Sequence, residues 1–275
     1  MKENIIILEK NSKKNNYWKD IWQYRELFYI LAWRDISVRY KQTVFGVLWA
    51  ILRPFLTMLA FTIVFNRLAK LPSEGNAPYS LMVFAGLLPW TLFSTALAEA
   101  SNSLISNANM ISKVYFPRLI IPSATVITSF IDFLISLLLM FALMLYYQYM
   151  PGWQIVFLPF FMLLAFLASL GPGLWVTGLN VKYRDFRYIV PFVVQFGLYI
   201  SPVGFSINVV PEKYRLIYSL NPIVGVIDGF RWCVLGGSVK MYWPGFYLSM
   251  AVIIVFLWIG LSSFRRMEKS FADII

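Results

Sequence analysis

The chain has 275 residues, of which 59% are hydrophobic and 13% charged, and carries a formal net charge of +11. It contains no histidine and a single cysteine, Cys233, which excludes His-based nucleophilic triads, His-ligated metal sites, an internal disulfide and Cys-cluster zinc or iron–sulfur sites. No G-x-x-x-x-G-K-[ST] phosphate loop occurs, so if ATP powers this protein another chain must bind it.

At the N-terminus, the short apolar run Ile5 to Leu8 precedes a polar tract and is too short for the core of a secretory signal. The mature protein is therefore expected to begin near Met1. Over residues 18–40, Tyr24, Leu27, Phe28 and Leu31 recur at helical spacing, while Lys19, Asp20, Arg25 and Glu26 take other faces. This predicts an amphipathic helix along the cytoplasmic membrane surface, serving either as an interfacial anchor or as a partner-docking element.

Six long apolar stretches follow, at 44–65, 79–98, 121–147, 155–179, 188–205 and 243–264. A bilayer core about 30 Å thick takes roughly 20 apolar helical residues to cross, and lipid tolerates only internally hydrogen-bonded backbone. The predicted fold is an all-α polytopic membrane protein. It has a cytoplasmic segment 1–43, a six-span domain 44–264 and a cytoplasmic tail 265–275. Six crossings put both termini on one side. That side carries 17 Lys and Arg against six on the other, with Arg53 inside the first span, so both termini are expected to be cytoplasmic. The positive charge is thus accounted for by topology and anionic lipid, not by nucleic acid.

Between the second and third spans, residues 102–118 are polar, long enough for a single helix and ended by Pro117. By composition they fit a passive connector as well as a docking element. On the outer side, residues 206–242 contain two helix-like pieces. Pro211 opens one from Glu212, Asn221-Pro222 breaks it, and a second runs from Val224 to a stop at Gly236-Gly237. Both are apolar enough for a re-entrant hairpin, and a surface lid is the alternative.

The runs RDISVRYKQTVFGVLWAILRPFLTMLAFTIVF, YSLMVFAGLLPWTLFS, SKVYFPRLIIP, VKYRDFRYIVPF and LNPIVGVIDGFRW occur in this order along the chain. Together they resemble the membrane subunit of the polysaccharide-export ABC transporters, which export O-antigen, capsule and teichoic-acid chains. The resemblance covers nearly everything from about Trp18. It implies a homodimer around a central channel, with two copies of a separate ATPase subunit docked from the cytoplasm and holding ATP and Mg2+. On this resemblance the chain itself is expected to carry no cofactor and no catalytic residue. The resemblance further implies an interface helix at 18–40 and a coupling helix at 107–115, with Asn107, Asn109, Lys113 and Tyr115 facing the ATPase. It makes the hairpin an external gate, with Pro211, Asn221, Pro222, Asp228 and Arg231.

The substrate that the resemblance implies, a glycan on a polyprenyl diphosphate, presents a charged headgroup, a lipid tail and hydroxylated rings. For the headgroup the candidates are Arg34, Arg39 and Lys41, clustered before the first span, because Arg offers forked donors and Lys a mobile charge to phosphate oxygens. Ordinary positive-inside charge is the plainer explanation of each. Arg53, nine residues into a span, should face the subunit interface, a water-filled channel or a snorkelling exit, and structural pairing with Asp132 in the third span is the alternative to substrate contact. For the rings, Phe45, Trp49, Phe196 and Tyr199 are candidates on spans that line the channel in relatives, with helix packing or lipid contact as the alternative. Trp18, Trp22, Trp153 and Trp243 lie near span ends, as interfacial belts do. An ion-coupled secondary transporter would need intramembrane acids, of which Glu99 and Asp132 are the candidates. A membrane glycosyltransferase would need an acidic pair, and the sequence has no D-x-D triplet.

Overall fold

The computed structural model describes residues 17–41, 46–236 and 239–271, and all regular structure among them is helical. In chain order the helices are α1 Tyr17–Gln23, α2 Arg25–Lys41, α3 Gly46–Phe61, α4 Tyr79–Ser106, α5 Ala108–Ile111 and α6 Ile120–Tyr146. They continue as α7 Leu158–Lys182, α8 Phe186–Ile200, α9 Glu212–Tyr218, α10 Pro222–Leu235 and α11 Trp243–Met267. A π-helical turn, Thr62–Leu68, prolongs α3, and a 3-10 turn, Trp153–Phe157, leads into α7.

Among the described residues, five stretches are long and apolar enough to cross a bilayer: Leu48–Leu68, Tyr79–Ser106, Ile120–Tyr146, Trp153–Lys182 and Trp243–Met267. The chain is a multi-pass membrane protein. The expected fifth span, 188–205, is realised as α8, whose 15 residues rise only about 22 Å. It stops at Ile200 because Pro202 disfavours helical backbone in the residue before it, and Ser201 is extended at ψ 151°.

The other spans match the apolar runs but overshoot them wherever polar residues find partners. Helix α4 passes its expected end at residue 98 and continues to Ser106. Ser101 and Ser103 bond back to Ala98 and Ala100, and α7 reaches across with Thr177 to the Ala100 carbonyl (2.8 Å) and Asn180 to the Ser101 carbonyl (2.8 Å). The first five residues of the supposed connector, 102–106, are therefore the end of a span. The remaining helix, α5, has four residues. Asn107 leaves helical backbone at the junction and bonds back to Ser103, and Pro117 excludes a restart across Tyr115 and Phe116.

Helix α4 is the hub: 78% of its most apolar window is buried, against 11% for the first span, which leaves α3 peripheral. Proline inside α3, α4, α7 and α8 is tolerated because neighbouring helices support the interrupted ladders. Helices α7 and α11 approach to backbone contact. A Cβ on Gly260 would lie 2.2 Å from the Gly171 carbonyl oxygen. Helix α10 sinks into the bundle with all but two of its residues buried, whereas α9 before it exposes Leu216 and Ile217. Pro222 at its first turn and the Asn221 side chain accepting from Ile223 start α10, and Gly236 at φ +70° stops it.

The amphipathic stripe on α1 and α2 packs inward. Tyr24, Leu27, Phe28 and Leu31 join a second core cluster with Ile120 and Phe264, at the end of the bundle where the chain leaves α11. The opposite face exposes Trp22, Tyr29, Ile30 and Trp33, so the helices turn their expected apolar stripe to protein and a second, aromatic one outward.

Candidate functional site

Four helices converge on a cleft of about 450 Å³ within the bundle, whose largely apolar wall carries a group of polar and charged side chains. Helix α3 supplies Trp49 and Arg53, four residues apart and so on one face. Helix α4 supplies Thr91, Thr95 and Glu99 at the same spacing, α6 supplies Ser129, Asp132 and Ser136, and α2 closes one side with Arg39 and Tyr40.

Arg39 organises this site. Its guanidinium bonds Glu99 at 2.5 Å through one nitrogen and Asp132 through another, and the Tyr40 hydroxyl donates to the second oxygen of Asp132. Ser129 donates to the second oxygen of Glu99 at 3.2 Å. Two carboxylates on separate spans thus hold the end of α2 against the bundle, which is how ionised groups survive at membrane depth. Asp132 does not pair with Arg53, as its position in the sequence suggested, because Arg39 occupies it. Arg53 is exposed in the cleft and forms no ion pair among the described residues. With two arginines and two carboxylates the cleft is formally neutral, and Arg53 is its accessible cation.

The three cations expected to cluster, Arg34, Arg39 and Lys41, do not form one site. Arg34 is held by Asp35 at 2.8 Å and by the Asn107 side-chain oxygen at 3.1 Å, which ties α2 to the turn after α4. Lys41 lies 5.7 Å from the Trp33 ring centre. Only Arg39 and Arg53 reach the cleft. Among the aromatic candidates, Trp49 stands in the cleft wall. Phe196 stacks on Phe192 at 5.8 Å, and Tyr199 meets Phe61 at 6.4 Å; both are exposed. Phe45 lies outside the described residues.

At the coupling segment, Asn109, Lys113, Val114 and Tyr115 are exposed, while Asn107 is committed to Arg34 and Ser103. At the other end, Pro211 caps exposed α9. Asp228 accepts from the Tyr242 backbone N–H at 2.9 Å. Arg231 is fully buried and donates to the carbonyls of Met82 (3.1 Å), Val203 (2.8 Å) and Phe205 (2.9 Å), with Glu74 at 3.6 Å. It is a pin between α4, α10 and the loop after α8, not a loop charge. Sequence reasoning missed Glu99 as the partner of Arg39 and missed the polar stripes Thr91, Thr95, Glu99 and Ser129, Asp132, Ser136, although their three- and four-residue spacing inside apolar runs was available as a signal.

Residues 26–235 match the ABC-2 type transporter family. Over 259 residues the chain is 28% identical to the O-antigen export system permease protein RfbA of Myxococcus xanthus, covering 94% of this chain and 98% of the relative. Two Klebsiella pneumoniae proteins of the same description are 26% and 24% identical, each over 91% of this chain and 95% of the relative.

Proposed function

Because this chain belongs to the ABC-2 type transporter family, we propose that it is the membrane subunit of an ATP-driven exporter of lipid-linked polysaccharide, with O-antigen as the glycan. The observation that carries this reading is the end-to-end similarity to O-antigen export permeases. In this reading it works as a homodimer in the bacterial inner membrane, with two ATPase subunits on the cytoplasmic side.

Six crossings are proposed, the fifth in chain order made by α8 and the buried residues that follow it. The contact of Tyr17 with Glu268 supports an even number, since it brings both ends of the described chain together. That end carries the larger share of Lys and Arg, which supports a cytoplasmic location, and buried Arg231 leaves the opposite loops fewer charges still. Helix α10, inserted among α4, α7 and α11, acts with α9 as a re-entrant external gate.

The polyprenyl diphosphate headgroup enters the cleft at Arg53, the cation already free to receive it, and then competes with Glu99 and Asp132 for Arg39. Arg34 and Lys41 attract it at the surface. The rings slide on Trp49, Phe45, Phe196 and Tyr199, whose faces stack on sugar C–H patches without a fixed hydrogen-bond register. Asn109, Lys113 and Tyr115 meet the ATPase. An ion-coupled carrier is disfavoured because both acids it would use are engaged by Arg39.

The test is ATP hydrolysis by this chain and the ATPase encoded with it, reconstituted in liposomes with and without polyprenyl diphosphate glycan. Hydrolysis that requires co-assembly and rises with the glycan lipid is expected. Two chains that never associate would overturn the reading.

A further inference from the structure

Three segments distant in sequence meet at the end of the bundle around one carboxylate. Glu268, in the 3-10 turn that follows α11, accepts from the Tyr17 hydroxyl at 2.8 Å through one oxygen and from the Arg118 backbone N–H at 2.7 Å through the other. The Arg118 guanidinium donates to the Glu268 carbonyl, and Arg265 lies 4.5 Å from the Tyr17 ring centre. Tyr17 begins α1, and Arg118 ends the stretch that joins α5 to α6. Beneath this knot, Leu31, Ile111, Phe116, Phe264 and Phe271 form one apolar cluster. Hydrogen bonds from a phenol and a backbone amide to a largely shielded carboxylate fix relative position, because a group left without its partner there pays its desolvation cost.

We infer that Glu268 is a positioning residue that clamps the interface helices, the α4–α6 connection and the tail into one mechanical unit, so that a push on any of the three moves all of them. This rests on the reading that an ATPase docks at Lys113 and Tyr115. The tail then becomes a third coupling element, transmitting the push directly to α11. Without the clamp, the ATPase would displace the connection alone.

The substitutions follow from the chemistry. Glu268→Ala removes both acceptors. Glu268→Gln keeps both contacts, because its oxygen accepts from Arg118 while its amide donates to a reversed Tyr17 hydroxyl. The measurement is glycan exported per ATP hydrolysed, by the reconstituted complex of this chain and its ATPase, alongside co-purification of the two. Glu268→Ala is expected to retain the ATPase but to export roughly tenfold less per ATP, the scale of a typical coupling energy, and Glu268→Gln to restore the ratio. If Glu268→Ala does not fold, Tyr17→Phe, which loses one bond, is expected to lower the same ratio. An unchanged ratio in whichever of the two folds, or equal loss in Glu268→Ala and Glu268→Gln, would overturn the clamp. Lys113→Glu tests the docking reading separately: it should abolish co-purification, and if it does not, that reading fails whatever Glu268 does.

Discussion

Replacing Arg39 by methionine removes the one guanidinium that bridges α4 and α6 while keeping a side chain of similar length. Glu99 and Asp132 then face each other across the cleft without their cation, and α2 loses its ion pairs to the bundle while keeping the Tyr40 bond to Asp132. Breaking a buried ion pair from one side costs about 3–5 kcal/mol. Here the three side chains retain 24% to 32% of their exposure, so water in the cleft relieves part of that cost and the low end, about 3 kcal/mol, applies. For a chain of this size that corresponds to a fall of roughly 6–12 °C in melting temperature. The assay is thermal unfolding of the purified chain in detergent at one fixed heating rate, since unfolding of such proteins is commonly irreversible. The triple variant Arg39→Met, Glu99→Gln, Asp132→Asn should recover most of the loss, because the uncompensated charges have gone. A single variant that melts with wild type, or a triple variant no better than the single, would refute the assignment of Arg39 as the bridge.

At the α7–α11 crossing, Gly260→Ala puts a methyl 2.2 Å from a backbone oxygen that cannot rotate away, whereas Gly173→Ala meets only a methyl at 3.4 Å. The first should cost about 1–3 kcal/mol in detergent melts and the second little; equal effects would contradict the packing. Arg231→Met leaves three carbonyls and Glu74 facing an apolar side chain, so it should fail to accumulate in membranes, and normal accumulation would argue against the pin. Burial holds the Glu268 carboxyl above the usual carboxylate range, opposed by the bonds from Tyr17 and Arg118 and the charges of Arg118 and Arg265. The folded chain therefore binds this proton more tightly than the unfolded chain, and the group's contribution to stability is complete at acid pH and declines as pH rises through the folded value. Wild type should thus lose stability relative to non-titrating Glu268→Gln as pH rises above the ordinary glutamate value of about 4.3, and a difference independent of pH would contradict this.

Much of this architecture was legible because the bilayer makes length and hydropathy sufficient to mark a span, and because proline, asparagine and glycine punctuate the backbone wherever they fall. Pro211, Asn221-Pro222 and Gly236 bounded α9 and α10 as expected. Hydropathy failed where polar residues found partners inside the bundle, as at Glu99 to Ser106, whose serines and asparagines bond to helix carbonyls and prolong α4 beyond its apolar run. It also failed at α8, where Pro202 outweighed a continuous apolar stretch. The cations at 34–41 appeared as one group because sequence places them together. A helix sends successive residues to different faces, so Arg39 reaches Glu99, Arg34 reaches Asn107 and Lys41 stays by Trp33. Pairings such as Tyr17 with Glu268 span nearly the whole chain, and no local pattern encodes them.

The most direct test of the central claim is ATP-dependent movement of a polyprenyl diphosphate-linked glycan into liposomes that hold this chain and its ATPase with nucleotide-binding sites outward, comparing wild type with Arg53→Gln. Arg53 is exposed and without an ion pair among the described residues, so the variant should melt with wild type. The account predicts glycan accumulation that requires ATP and falls at least about tenfold in Arg53→Gln, the scale of losing one charge-assisted contact of about 1.5–3 kcal/mol. Accumulation indifferent to ATP, or undiminished in the variant, would contradict it.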